Sequence, residues 1–274
     1  MTRTVLVPSS LARDAANKRE ATRKLGYVAR AAAVFRVDRL DVFPDPDGES
    51  AYGGGFVETV LGYAVTAPYL RKDVWGHRDE LEFAGVLPPL RLSSRTGSGS
   101  HGSGSLRQGI VTQVGSDGRV RVNCGLQHPI SLIVPDDMSV DVGERVTVSV
   151  SSREPIRARL VDEPIPGFAV ARTDLEEALD RDDAGLMIAT SRAGTPLTAG
   201  SLQPLVTRIE REGYTVAFGA PGRGLPEILG VDPDDGPTPG GFDRWLNTVP
   251  QQGSETIRTE EAMFASLAPL SLTE

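Results

Sequence analysis

Cysteine, lysine, histidine and aromatic residues are all scarce in this chain. Its one cysteine in 274 residues, Cys124, excludes an internal disulfide and any cysteine-cluster metal site, and points to a reducing cytoplasm. Histidine occurs three times, as His77, His101 and His128. None stands beside an obvious nucleophile, and no HExxH, DxD or other metal-ligand spacing occurs, so neither a hydrolytic triad nor a metal centre is expected. No apolar run approaches the ~20 residues of a membrane-spanning helix. The N-terminal apolar stretch is only Val5-Leu6-Val7, which fits a strand better than a signal peptide.

Lysine is limited to Lys18, Lys24 and Lys72, so arginine supplies the rest of the 29 bases; 37 acids bring the net charge to −8. An acidic, arginine-over-lysine chain points to a high-GC genome, with a salt-loving archaeon as one such source. The charge is unevenly placed. Residues 1–40 hold nine bases and three acids, a balance of +6 that leaves −14 for the remainder. A basic patch on an acidic protein is a directed electrostatic feature. The length suits one large domain or two modest ones, enough to bury a core without a staple.

The pattern along the chain is α/β, then all-β, then α/β. Thr4 to Ser9 reads as a short buried strand. A helix follows from about Asp14 to Phe35, with Leu25, Val28, Ala29, Ala32 and Phe35 on one face. Arg19, Arg23 and Arg30 cluster opposite, as a solvated face or as a phosphate-contacting stripe. Arg39 to Phe43 is a second strand, and Pro44 to Gly48 a loop. A second helix is expected from Phe56 to about Arg71. Ser93 to Ser105 is nearly all serine and glycine, a flexible linker that contains His101. Gly109–Val114, Arg119–Cys124, Pro129–Val134, Glu144–Val150 and Ile156–Val161 are five short strand candidates. Ser116-Asp117-Gly118 is a hairpin signal between the first two. Five strands in this span suggest a small barrel of the OB type, which binds single-stranded nucleic acid or serves a structural, dimer-covering role. The domains expected are 1–92 with 164–274, interrupted by a linker at 93–105 and a barrel at 106–163.

After Pro164 the helices expected are Asp174–Asp180, Leu202–Glu212 and one beginning at Glu260. The strands expected are Leu186–Thr190, Tyr214–Phe218 and Trp245–Val249. Three segments sit at the ends of these strands, where open α/β sheets bind ligands. They are Ala189 to Gly194, Gly219 to Gly224, and Asn247 to Glu261. GAPGRG at 219–224 is neither a Walker loop nor a Rossmann turn, so alone it reads equally as a tight turn. Asp232, Asp234 and Asp235 lie among prolines and glycines and read as solvated loop.

The segments LNTVPQQGSETIRTEEAM (246–263), VAFGAPGRGLPEIL (216–229) and LMIATSRAG (186–194) resemble the SPOUT superfamily of methyltransferases. RKLGYVARAAAVFRVDRLDVF (23–43) and FAGVLPPL (83–90) extend the likeness across nearly the whole chain. They bring it close to the archaeal and eukaryotic branch that carries an OB-like insertion. The resemblance implies a parallel sheet with a C-terminal trefoil knot, a rare exception to unknotted topology, and a homodimer formed through the knot. It implies S-adenosylmethionine as cofactor, held by Thr190, Ser191, Arg192, Gly219, Ala220, Pro221, Gly222, Gly224, Leu246, Asn247, Thr248, Gly253, Thr256 and Thr259. The glycines would allow close backbone approach, and the backbone of Leu246 and Asn247 would read the adenine edge.

Relatives in that branch methylate RNA, at N3 of uridine in large-subunit ribosomal RNA, and that is the activity expected. Uridine N3–H is a weak acid, so a base or an anion-stabilising cation should assist. Arg223 is the candidate cation, and Glu255 and Glu260 are the candidate bases. Either glutamate could instead be a helix N-terminal carboxylate. Arg19, Arg23 and Arg30 are the candidate RNA contacts. Methylation of a protein side chain, and a non-catalytic RNA-binding assembly role, are the alternatives.

Overall fold

Val5, Leu6 and Val7 form the middle of β1 (Arg3–Pro8) and are buried on both faces, as strands of a parallel sheet covered by helices must be. The computed structural model describes residues 1–92, 105–232 and 239–272. The expected linker, His101 within it, and Asp234 and Asp235 therefore lie outside the described residues, apart from Ser105.

The chain divides into two compact units. The first holds Met1–Gly62, Glu80–Leu90 and Phe168–Glu274. After β1 come α1 (Lys18–Val34), β2 (Arg39–Phe43), α2 (Gly54–Val65), whose last turn belongs to the other unit, and later the edge strand β8 (Ala169–Arg172). The unit is completed by α4 (Leu175–Leu179), β9 (Leu186–Pro196), α5 (Ala199–Glu212), β10 (Tyr214–Ala217), α6 (Leu225–Leu229), β11 (Arg244–Asn247) and α7 (Thr259–Leu270). α3 (Arg71–Trp75) and five strands between Ser105 and Val161 belong to the second unit.

Six strands pair in parallel in the order β11-β9-β10-β1-β2-β8. Leu6, Phe43, Ala189, Ala217, Leu225, Phe242 and Trp245 make a core beneath the carboxyl ends of these strands. On α1 the predicted stripe of Leu25, Val28, Ala29 and Ala32 is buried. Phe35, just past the helix end, meets Phe264 of α7 edge-on, with ring centroids 5.9 Å apart.

Several expected boundaries move, each for a local reason. α1 begins at Lys18 rather than Asp14, because Asn17 caps it by accepting from the Glu20 N–H. The helix expected to run to Arg71 stops at Val65, since Pro68 lies ahead and cannot continue it. The strand expected over Trp245–Val249 starts one residue earlier and ends two earlier, at Arg244–Asn247. β8 and α6 carried no distinct periodicity and were not expected. β9 runs on to Pro196 instead of ending at Thr190. Its pairing with β11 jumps: Trp245 faces Ala189, yet the next residue, Leu246, faces Thr195. Residues 190–194 therefore bulge out of the ladder, and such bulges re-aim backbone next to functional sites.

The second unit holds Tyr63–Asp79 and Arg91–Gly167. Its strands β3 (Ser105–Val114), β4 (Arg119–Asn123), β5 (Ile130–Ile133), β6 (Arg145–Arg153) and β7 (Ile156–Val161) form one antiparallel, nearly closed barrel-like sheet, ordered β5-β4-β3-β6-β7. Val120, Val122, Val146, Val148 and Val150 point inward at the strand period, around buried Cys124. Burial pushes the Cys124 thiol pKa up. Gln108 explains why residues 63–79 join this unit. Its buried amide donates to the carbonyls of Val65 and Pro166 and accepts from the Ala67 N–H and Arg145.

Candidate active site

The carboxyl ends of β9, β10 and β11 open onto a cleft of about 490 Å³, within the usual range for small-molecule sites. The β9 bulge contributes Thr190, Ser191, Arg192 and Ala193; the loop after β10 contributes Phe218 to Ala220 and Gly222 to Gly224. The first turn of α6 adds Leu225 to Glu227. Leu246 to Val249, Gln252, Glu255 to Ile257, Thr259 and Ala262 close the far side.

Hydrogen bonds fasten these segments to one another. The Asn247 side-chain amide donates to the Arg192 carbonyl at 3.0 Å, and its oxygen accepts from the Val249 N–H at 3.0 Å. Thr190 donates to the Ala217 carbonyl at 2.8 Å. Thr259 donates to the Gly219 carbonyl at 2.8 Å. Thr248 and Ser266 share a hydroxyl contact of 2.8 Å. The polar loop after β11 is therefore an ordered wall, with Gln252 donating to the carbonyls of Ser254 and Glu255. Two glycines are required by close approach. A Cβ on Gly219 would stand 2.6 Å from the Leu225 nitrogen, and one on Gly194 would stand 2.8 Å from the Leu246 backbone.

Among the described residues, Arg192, Arg223, Glu227 and Glu255 are the charged ones facing the cleft. Arg223 is not a free cation. Its Nε lies 3.2 Å from both carboxylate oxygens of Asp45, and its Nη1 donates to Glu227 at 2.9 Å. Burial works against the guanidinium charge, and the Asp45 and Glu227 carboxylates outweigh it, so its pKa lies above the ordinary arginine value.

Most residues expected to hold a cofactor come together in this cleft. Pro221 and Gly253 do not line it. Glu260 does not line it either: it is 8% exposed in the first turn of α7. Burial raises its carboxyl pKa, against opposing contributions from its own backbone N–H, Lys24 and Arg258. Lys24 in turn pairs with Asp14. Of the two glutamates expected as bases, only Glu255 reaches the cleft, and Glu227 joins it unforeseen. Arg19 and Arg23 are exposed on α1, around a separate hollow with Asn17, Glu20 and Val86. Arg30 is partly buried and donates to the Leu90 carbonyl at 2.7 Å. Asp45 and Ser10 were missed. The only signal was a Pro-Asp-Pro-Asp-Gly loop directly after a strand.

Among the described residues no helix is long and apolar enough to cross a membrane, and no cluster of metal-ligating side chains occurs. A family model described as "Putative RNA methyltransferase" matches residues 2–270. A protein of Halobacterium salinarum named as uncharacterized is 67% identical over the full length of both chains. One of Haloarcula marismortui, also named as uncharacterized, is 68% identical over the full length of both. The 28S rRNA (uridine-N(3))-methyltransferase of Homo sapiens is 30% identical, over 98% of this chain and 77% of its own. The chain therefore belongs to this family of RNA methyltransferases, and it is a methyltransferase enzyme acting on RNA.

Proposed function

We propose that the chain methylates N3 of a uridine in ribosomal RNA, with S-adenosylmethionine as methyl donor bound in the cleft. The observation that carries this reading is the cleft itself, built from three mutually bonded segments at the strand ends of a parallel sheet. Its composition fits a nucleoside joined to a charged amino acid. Leu246, Val249 and Ile257 supply apolar surface for a base, and Thr190, Ser191, Asn247 and Thr248 supply polar groups for a ribose. Arg192 and Glu255 offer opposite charges for a carboxylate and an ammonium. S-adenosylmethionine supplies an electrophilic methyl group when bound. A knotted C-terminal segment belongs to this reading, and the strand order of the second unit supports an OB-type barrel. A homodimer and a cytoplasmic location complete the reading.

The residues divide the remaining work. N3 must lose its proton as the methyl group arrives, and a ring-bound proton with a pKa above neutrality is transferred poorly to an ordinary carboxylate. Stabilising the uracil anion therefore does more than accepting the proton. Arg223 supplies that stabilisation as a fixed cation in the cleft. Glu227 and Glu255 are the cleft carboxylates able to take the proton or pass it to water. Arg19 and Arg23, with no carboxylate partner among the described residues, hold the RNA backbone from the exposed face of α1; Arg30 assists from the same helix.

Nucleoside mass spectrometry of ribosomal RNA from cells with and without the protein tests this reading. Loss of one 3-methyluridine, restored by purified protein with S-adenosylmethionine, is expected. An unchanged nucleoside profile, with the protein still binding the donor, would overturn it in favour of another RNA or a protein side chain.

A further inference from the structure

Asp45 follows β2, Ser9 and Ser10 follow β1, and Arg223 follows β10, and these are three adjacent strands of the sheet. Their ends converge on one buried carboxylate. The Asp45 side chain is 2% exposed, against 15% for Arg223. Ser10 Oγ donates to its Oδ2 at 2.5 Å, and Ser9 Oγ accepts from its backbone N–H at 2.9 Å. Both carboxylate oxygens are 3.2 Å from Arg223 Nε. A glycine three residues after Asp45 makes room for the pair. A Cβ on Gly48 would stand 2.0 Å from Asp45 Oδ2 and 2.9 Å from Arg223 Cδ. Any side chain at position 48 would push the aspartate and the arginine apart.

We propose that Asp45 is a positioning residue for the reaction, fixing through Arg223 the orientation of the cation that faces the substrate in the cleft. This rests on the methyl-transfer reading of the cleft. An arginine on a flexible stem would have to be ordered in each turnover. Held at Nε by a buried carboxylate and at Nη1 by Glu227, it is already in place as charge develops, and preorganised donors are what lower such barriers. Asp45 itself does not touch the cleft. Ser10 and Gly48 act one step further back, by holding the carboxylate and by leaving space for it.

The test uses the full chain with Asp45→Asn, Arg223→Ala and the double substitution. Two readouts are taken: hydrogen exchange at the Arg223 Nε–H by NMR, assigned by its loss in Arg223→Ala, and methyl transfer to unmodified ribosomal RNA. Asp45→Asn is expected to speed Nε–H exchange at least ~10-fold and lower kcat by roughly 10–100-fold, with the KM for S-adenosylmethionine changed less than ~3-fold. In the Arg223→Ala background the same change should cost less than about 2-fold, because residues acting as a unit are non-additive. Unchanged exchange and kcat, or a full additional loss in the double variant, would overturn the proposal. Should Asp45→Asn fail to fold, Ser10→Ala removes only the hydroxyl that holds the carboxylate. It should shift both readouts in the same direction, roughly 3–10-fold, and no shift in either would count against the proposal. A wild-type protein that methylates no uridine would sink the proposed reaction, while Nε–H exchange would still decide whether Asp45 orients Arg223.

Discussion

The Thr259 hydroxyl donates to the Gly219 carbonyl at 2.8 Å, joining the first residue of α7 to the glycine loop 40 residues earlier. With the Thr248–Ser266 contact, it ties the C-terminal helix to the wall of the cleft. Thr259→Val keeps shape and β-branching but leaves the carbonyl without its donor. The expected cost is about 1 kcal/mol, or roughly 2–4 °C in Tm. Affinity for S-adenosylmethionine should fall with it, and calorimetry of the variant checks both. Unchanged affinity would mean that this tie does not shape the cleft.

Asn247 joins the β9 bulge to the β11 loop through both ends of its amide. Asn247→Asp retains the acceptor for Val249 but sets a carboxylate against the Arg192 carbonyl. Donor affinity should fall about 10-fold, the equivalent of ~1.4 kcal/mol, with a smaller loss from Asn247→Ser. Titration calorimetry with S-adenosylmethionine measures this directly.

Glu260 gives a pH signature. Burial raises its pKa above the ordinary glutamate value in the folded chain. The folded state then holds a proton that the unfolded state has released, over the window between the two values. The contribution to stability is complete below the ordinary value and is lost as pH rises through the folded one. Glu260→Gln removes this dependence. The difference in Tm, variant minus wild type, should therefore be more positive at pH 7 than at pH 4. A difference that does not vary with pH would show that the carboxyl is not perturbed.

Arg19 and Arg23 are exposed on α1, whereas Arg30 is committed to the Leu90 carbonyl. Replacing Arg19 and Arg23 with alanine should weaken RNA binding without lowering Tm. It should reduce the slope of log K against log salt by about 0.7 per lost contact to single-stranded RNA. Arg30→Ala should lower Tm as well. Binding measured at several salt concentrations separates the two roles, and an unaltered slope in the first variant would remove α1 from the RNA interface.

Gln108 satisfies a buried backbone group of Val65 and part-buried ones of Ala67 and Pro166 together. Gln108→Ala leaves them unpaired and should destabilise the barrel unit by about 2–4 kcal/mol, the range for lost buried hydrogen bonds and a cavity. Thermal unfolding followed by circular dichroism reads the loss.

Local pattern carried much of the architecture. Val5-Leu6-Val7 is a continuous apolar run, and β1 lies where that run is. Val120-Val122 and Val146-Val148-Val150 alternate, and they are the inward faces of antiparallel strands. The glycines at 219–224 follow a strand, and the cleft lies at that strand's end. Each of these is a nearest-neighbour property, readable because burial repeats with the period of the element. The bulge at 190–194 was not readable in this way, since it depends on the register that β11 adopts against β9.

Local sequence therefore set the alternation of helices and strands along the chain. Which charges meet is set by packing. Arg223 and Asp45 are separated by 178 residues and have no local pattern in common. They pair because β10, β1 and β2 are adjacent in the sheet. Glu260 reads as well as Glu255 in the sequence, yet α7 turns it toward Lys24 and away from the cleft. A charged residue carries no periodicity of its own, so its partner is set by strand order and helix rotation, which are properties of the packed chain.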